Sequence, residues 1–371
     1  MFKKNLLGIV LLVGVWAVAS WVRADVTQPS VYQLFGISAA YQDVFFGDYY
    51  GRNGDIEGHA AIKGNLDAQA YGFGAGEQNR HPASQGPTLV VGGNATVSSS
   101  GVYDGDAYIA GTLTPHAGGS KWNTLGTMGT GPYNSVDPGY QGTPGTVYVA
   151  GTLDYDLDPT YQKHTTESIP FDFTVAESQL RKVSSDLWTL ENTVSGGYVD
   201  GQYTVDLTGL NGLQVVTIDS SIFNGLGGSQ NIYINAGADT TLLINVTGSG
   251  TLALGREFVI NGNPDSFYGD FDGSNILINA KDFSQINVSG VALNASLLAL
   301  DANIDVMRGN IDGQVFAASA HTTNGGEFHA YYTFDDKHFG SPAATPEPAT
   351  MLIFGIGLVG LSAARRYRKG T

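Results

Sequence analysis

Short runs of alternating apolar and polar residues, each ending on glycine or asparagine, fill most of the chain. Ala60-Ala61-Ile62-Lys63-Gly64-Asn65-Leu66 is the first; Leu89-Val90-Val91-Gly92-Gly93-Asn94 is a looser second. Ala107-Tyr108-Ile109-Ala110-Gly111-Thr112-Leu113 and Val147-Tyr148-Val149-Ala150-Gly151-Thr152-Leu153 repeat the phrase. In a stacked coil, alternate residues enter a core, and the glycine is expected to turn the backbone with positive φ. Recurring units that cannot bury their own face point to a solenoid. The spacing is uneven, 18 residues from Gly93 to Gly111 and 40 from Gly111 to Gly151. Segments 74–87 and 115–145 therefore read as excursions from the coil. Further strands are expected at 203–207, 213–219, 231–235, 241–246, 257–261, 275–279, 285–288, 296–300, 303–307 and 313–318. A sandwich gives similar spacing, but this many strands exceeds one sandwich. The expected fold is mainly β, a β-solenoid or β-helix-like body. One stretch differs: Ala176, Leu180, Val183, Leu187 and Leu190 recur at helical spacing. They predict an amphipathic helix at about 171–192, packed on the flank of the β body.

The two ends carry another pattern. Lys3 and Lys4 precede an apolar run at 6–19, and Val22-Arg23-Ala24 supplies a small-residue site. This predicts a signal peptide, 1–24, cut by signal peptidase between Ala24 and Asp25; an uncleaved anchor is the alternative. At the other end Pro346-Glu347-Pro348 is followed by an apolar run at 349–364, then Arg365, Arg366, Arg368 and Lys369. The run is a hydrophobic helix slightly short of the roughly 20 residues of a full transmembrane span. The basic stop favours a cytoplasmic end. A plain membrane anchor and a processed tag both fit. The motif, run and basic end resemble the PEP-CTERM sorting signal of Gram-negative bacteria. That resemblance implies recognition by an exosortase and cutting near the motif, with an inner-membrane intermediate on the way to the cell surface or extracellular matrix. The expected organisation is a signal at 1–24, a β domain at 25–340 and a sorting segment at 341–371.

Composition narrows the classes. The 371-residue chain has no cysteine, which excludes disulfides, thiolate metal sites and a cysteine nucleophile. Without its ends, 25–345 has 11 basic and 33 acidic side chains, a net −22. Such a surface repels phosphate backbones, so nucleic acid is not an expected partner. The 51 glycines, 19 tyrosines and 17 phenylalanines suit tight turns between β-rich segments.

Val44-Phe45-Phe46-Gly47-Asp48 and the stretch from Asn53 to Leu66 resemble the opening of the choice-of-anchor A domain. Leu297 to Ala302, Gly309 to Val315 and Gly325-Gly326-Glu327-Phe328-His329 resemble its later phrases. Leu300 stands where that family usually has proline, and Ala330 where it has asparagine. The resemblance covers about 31–334 and implies a bacterial surface or matrix protein, without implying a chemistry.

Candidate chemistry is sparse. Glu327 and His329, two apart on a strand, point the same way and could share a proton or a metal. A Glu–His hydrogen bond closing the last coil is the simpler expectation. Asp154-Tyr155-Asp156-Leu157-Asp158 starts like a calcium loop, but Pro159 and Thr165 stand where glycine and glutamate are needed. Asp104 with Asp106, and Asp270 with Asp272, are weak candidate Ca²⁺ ligands; otherwise no cofactor is expected. Paired carboxylates could also serve glycan hydrolysis at a suitable separation. The leading expectation is a non-enzymatic structural or adhesive protein of the surface or exopolysaccharide (biofilm) matrix, touching glycans. The alternatives are a glycan-active enzyme and an ice-binding-like adhesin. The last would want ranks of Thr-x-Thr, and no regular ladder is visible.

Overall fold

In the computed structural model, residues 34–74, 86–103, 105–115, 123–124, 144–153, 162–164, 168–224, 231–262 and 271–339 are described. All lie in the unit Tyr32–Thr371. The expected signal, the sorting segment with its apolar run, and both Asp104 and Asp270 fall outside them. Among the described residues no helix is long and apolar enough to cross a membrane.

The body is a β-solenoid whose coils stack through parallel strand pairs. On the first face the hydrogen-bonded order runs Gly212–Asp219, Thr240–Thr247, Ile276–Asn279, the start of Ser296–Met307, the start of Val315–Thr323, then Asp43–Phe45. It continues through Ala60–Ile62, Leu89–Val91, Gly105–Ile109, Pro144–Val149 and Gln162–His164. The first described strand, Asp43–Phe45, therefore lies in the middle of the stack. Val44 pairs with Phe316 of the last coil on one side and with Ala61 of the second coil on the other. Phe45, Tyr49 and Phe328 meet across this seam at ring-centroid distances of 5.1 to 6.3 Å.

The glycine repeat has a different cause from the one expected. Gly64, Gly93, Gly111 and Gly151 are not among the positive-φ glycines. They stack on one another: each N–H donates to the preceding glycine's carbonyl, from Gly64 on Gly47 to Gly151 on Gly111, at 2.8 to 3.1 Å. A Cβ on Gly93 would lie 2.5 Å from Gly64 O, and one on Gly111 2.6 Å from Gly93 O. Close backbone approach, not left-handed geometry, demands glycine. The following position extends the ladder. Asp48 Oδ1 accepts from Asn65 N, Asn65 Oδ1 from Asn94 N, and Asn94 Oδ1 from Thr112 N.

The helix α1 spans Phe173–Trp188, shorter at both ends than the expected 171–192. Asp172 caps it, accepting from Thr174 N and Val175 N at 3.0 Å. At the far end Leu190 lies beyond the helix and is exposed. The buried stripe is Phe173, Ala176, Leu180, Ser184 and Leu187. Its apolar residues, together with Phe35, Tyr41, Phe171, Phe334 and Phe339, form one cluster with Val215, Leu243, Leu277, Leu298, Phe316, Val44, Ala61 and Val90, which point outward from the first face. Strands here are thus buried on both sides and read as unbroken apolar runs. The helical pitch of about 5.4 Å nearly matches the strand spacing of about 4.8 Å, so the turns at Arg181, Ser184 and Leu187 reach successive coils. Glu177 accepts from Lys63, Arg181 donates to Asp301, Ser184 to Asn279, and Leu187 O accepts from Asn245.

Most expected strands are present with altered ends. Segments 296–300 and 303–307 form one strand, Ser296–Met307, that turns the corner between two faces with a register shift between Ala299 and Asn303. Short strands such as Ala292–Leu293 and Asn310–Ile311 have too few residues to show a period.

Candidate functional site

Among the described residues, no helix lies over the second face. It is built from Gly250–Leu254, Phe283–Ser289, the ends of Ser296–Met307 and Val315–Thr323, then Tyr49–Ile56, Leu66–Phe73, Ala95–Ser98 and Leu113–Pro115. Apolar residues such as Ile286, Val288, Ile304 and Val306 point inward and are fully buried. The outward positions between them are polar. In register they give the row Asn287, Asp305, His321, Tyr50, Asp67, Thr96 and Thr114. A flanking row carries Gln285, Asn303 and Ser319.

These side chains bond to one another across the coils. Gln285 Nε2 donates to Asn287 Oδ1 and Asp305 Oδ2, both at 2.9 Å. Asn303 Nδ2 donates to Gln285 Oε1 at 3.1 Å, and Ser319 Oγ to Asn303 Oδ1 at 2.8 Å. His321 Nδ1 lies 3.2 Å from Asp305 Oδ1. The His321 ring meets Tyr50 edge-on at 4.6 Å, and the Arg52 guanidinium sits 3.7 Å from the Tyr50 ring centroid. Arg52 also donates to Asp67 Oδ1 at 2.6 Å and to two backbone carbonyls. Thr96 and Thr114 hydroxyls are 3.2 Å apart. Mutual bonding fixes the rotamers, so a ligand meets a pre-organised surface of hydroxyls, amides and carboxylate.

A second cluster lies where the first and last coils meet. Glu327 Oε2 and Asp312 Oδ1 flank His329, at 3.0 Å from Nε2 and 2.9 Å from Nδ1. Asn310 also donates to Asp312, and Glu57 accepts from Ala330 N. Burial alone would lower the His329 pKa; the bonds to Asp312 and Glu327 outweigh it and raise it to about 10. The ring is therefore charged at neutral pH, held between two carboxylates. Asp55 sits nearby with its Oδ1 buried and unbonded. Burial, then the charges of Glu327 and Glu57, push its carboxyl up to about 8. These groups join the chain's early and late segments.

Of the Ca²⁺ candidates, Asp106 and Asp272 are described, and each bonds within the fold. Asp106 Oδ1 accepts from Thr146 N at 2.7 Å. Asp272 caps a short 3₁₀ turn, accepting from Ser274 N and Oγ. Among the described residues, no group of three or more His, Asp or Glu is arranged to hold a metal. Sequence reading missed Gln285, Asn303, Asp305, His321, Tyr50 and Arg52. The available signal was a polar residue at every second position of three late strands, but their mutual register is not written in one sequence.

Residues 34–330 match the family described as "Putative Ice-binding-like adhesive domain". The chain belongs to this family. Residues 344–369 match the PEP-CTERM protein-sorting motif. No curated protein matches the chain. Among solved structures, an ice binding protein from an Antarctic biological consortium aligns at 12% identity, covering 83% of this chain and 95% of that one, with TM-score 0.33. A glycosylated ice-binding protein (LeIBP) from an Arctic yeast aligns at 13% identity, covering 81% and 96%, with TM-score 0.33. An ice-binding protein of the Antarctic ascomycete Antarctomyces psychrotrophicus gives 12% identity, 80% and 97% coverage and TM-score 0.30. The adhesive-domain family and the C-terminal sorting motif together fit an exported surface protein.

Proposed function

We propose that this is a non-enzymatic adhesive protein of the bacterial cell surface or exopolysaccharide matrix, released from the membrane by an exosortase, which grips glycans with its second face. The sorting motif supports the route, and kinship with choice-of-anchor A domains belongs to the same proposal. The carrying observation is the half-buried polar row of the second face, in which Gln285, Asn287, Asn303, Asp305, Ser319 and His321 are linked by their own hydrogen bonds and Thr96 and Thr114 by another. Amides, hydroxyls and a carboxylate in a rigid row suit sugar hydroxyls, and the adjacent Tyr50 adds an amphipathic ring. The test is retention of the mature protein on its host's exopolysaccharide. The double variant Gln285→Ala, Asn303→Ala should lose retention while keeping its melting temperature within a few degrees. Unchanged retention would remove the second face from the reading.

A second reading, an ice-ordering face, takes support from the family's description. The outward positions of the three late strands are Gln285, Asn287, Ser289, Asn303, Asp305, Met307, Ser319, His321 and Thr323, with one threonine among them. Thermal hysteresis in purified protein, abolished by Asn303→Ala, would promote this reading over glycan adhesion.

A further inference from the structure

We propose that the polymer held by the second face carries amino groups, as a partly de-N-acetylated hexosamine polysaccharide does; this rests on the adhesive reading above. Charge is the first ground. The exported body's 33 acidic and 11 basic side chains set up an attractive field for a polycation and a repulsive one for a polyuronate. The face itself repeats that sign. Its one arginine, Arg52, is already committed to Asp67, to carbonyls and to the Tyr50 ring. Asp305 is the second rung of the row, with 43% of its side chain exposed. Its oxygens accept from Gln285 and Asn303, and Oδ1 faces His321 Nδ1 at 3.2 Å; these partners aim the carboxylate without covering it. An alkylammonium meeting it forms a charge-assisted hydrogen bond, about twice as strong as a neutral one.

The second ground is the repeat. Asp305 is one rung of a ladder whose steps follow the strand spacing of about 4.8 Å. A polymer lying along the stack meets Asn287, Asp305, His321 and Tyr50 in turn. The amides beside Asp305, those of Asn287 and Asn303, address hydroxyls, and the carboxylate addresses an amine. An N-acetylated sugar at that rung has no cation to offer and places a methyl group near a carboxylate.

The test measures binding of the mature protein, purified from its host, to immobilised hexosamine polymer in partly de-N-acetylated and fully N-acetylated forms, and to a polyuronate. Asp305→Asn keeps the acceptor oxygen and size, and its fold is verified by melting. Asp200→Asn, at an exposed hairpin turn away from the face, removes the same charge. The expected result is preference for the de-N-acetylated polymer, weakened about tenfold by Asp305→Asn, unchanged by Asp200→Asn, and reduced by added salt. Equal binding to the N-acetylated polymer, or equal losses in both variants, overturns the amine proposal and leaves glycan adhesion standing. Failure to bind these polymers and the native matrix alike overturns both.

Discussion

Asp305 and His321 face each other from adjacent coils, Oδ1 to Nδ1 at 3.2 Å, and neighbouring carboxamides hold the pair in place. The pair lies on the uncovered second face, where the residues around it turn polar atoms outward. Nothing in the packing of the interior requires them, because the inward neighbours Ile304 and Val306 complete the core. Asn303→Ala should therefore cost at most about 1 kcal/mol of stability, the usual worth of a part-exposed hydrogen bond. The same change should disorder Gln285 and Ser319 and reduce matrix retention. Urea unfolding and retention measured on one preparation separate these effects; a large stability loss with intact retention would contradict the assignment.

Asn279 behaves oppositely. It is fully buried between the first face and α1. Its amide nitrogen donates to Ser184 O at 3.0 Å and Asn245 Oδ1 at 2.9 Å, and its oxygen accepts from Ser184 Oγ at 2.7 Å. Asn279→Ala leaves several buried polar atoms unbonded and opens a void. A loss of about 2–4 kcal/mol is expected, against near-neutral change at exposed positions. The shift in urea midpoint at constant m-value measures it, and a loss below about 1 kcal/mol would show that the helix does not depend on this network.

The glycine ladder gives a sharper contrast with what the sequence revealed. The repeat was legible, and with it the coils, the helix and the mainly β class. The reason for the glycines was not, because positive φ and close backbone approach leave the same mark on a sequence. The order of the coils was hidden too. That Val44 lies between Ala61 and Phe316 depends on pairing across more than 270 positions, which no local period encodes. The proposed binding face was hidden for the same reason: Asn303 and Asp305 meet Gln285 and His321 only through register. Gly93→Ala tests the ladder. Its Cβ would sit 2.5 Å from Gly64 O and 2.7 Å from Gly64 C, so the coils must part. A cost of about 1–3 kcal/mol or more is expected, as for overpacking. Gly197→Ala, where a Cβ meets nothing within 4 Å, is the control and should change stability little.

Stability should fall as the pH rises. Asp55 is raised from 3.8 to about 8 and His329 from 6.5 to about 10. In both cases the folded protein holds a proton that the unfolded chain has released, so folding binds protons across the interval. The Asp55 contribution is complete below pH 3.8 and is lost as pH climbs through about 8. The His329 contribution is complete below 6.5 and is lost through about 10. Asp55→Asn should flatten the decline in the lower interval, and His329→Gln the decline in the upper one. Urea midpoints measured from pH 4 to 10 provide the check; a variant with the parent slope in its interval would remove that group from the seam's pH response.

Processing at the C-terminus can be separated from simple anchoring. The motif Pro346-Glu347-Pro348, next to an apolar run and a basic stop, is the segment on which the proposed processing would act. The proposed route predicts that intact mass of the matrix-associated protein begins at Asp25 and ends near Pro346, without Arg365 to Lys369. Pro348→Ala with Glu347→Ala should trap a longer, membrane-bound form. A matrix-associated chain that still carries Arg365 to Lys369 would leave a plain anchor as the explanation of the tail, and would place the adhesive face at the membrane instead of in the matrix.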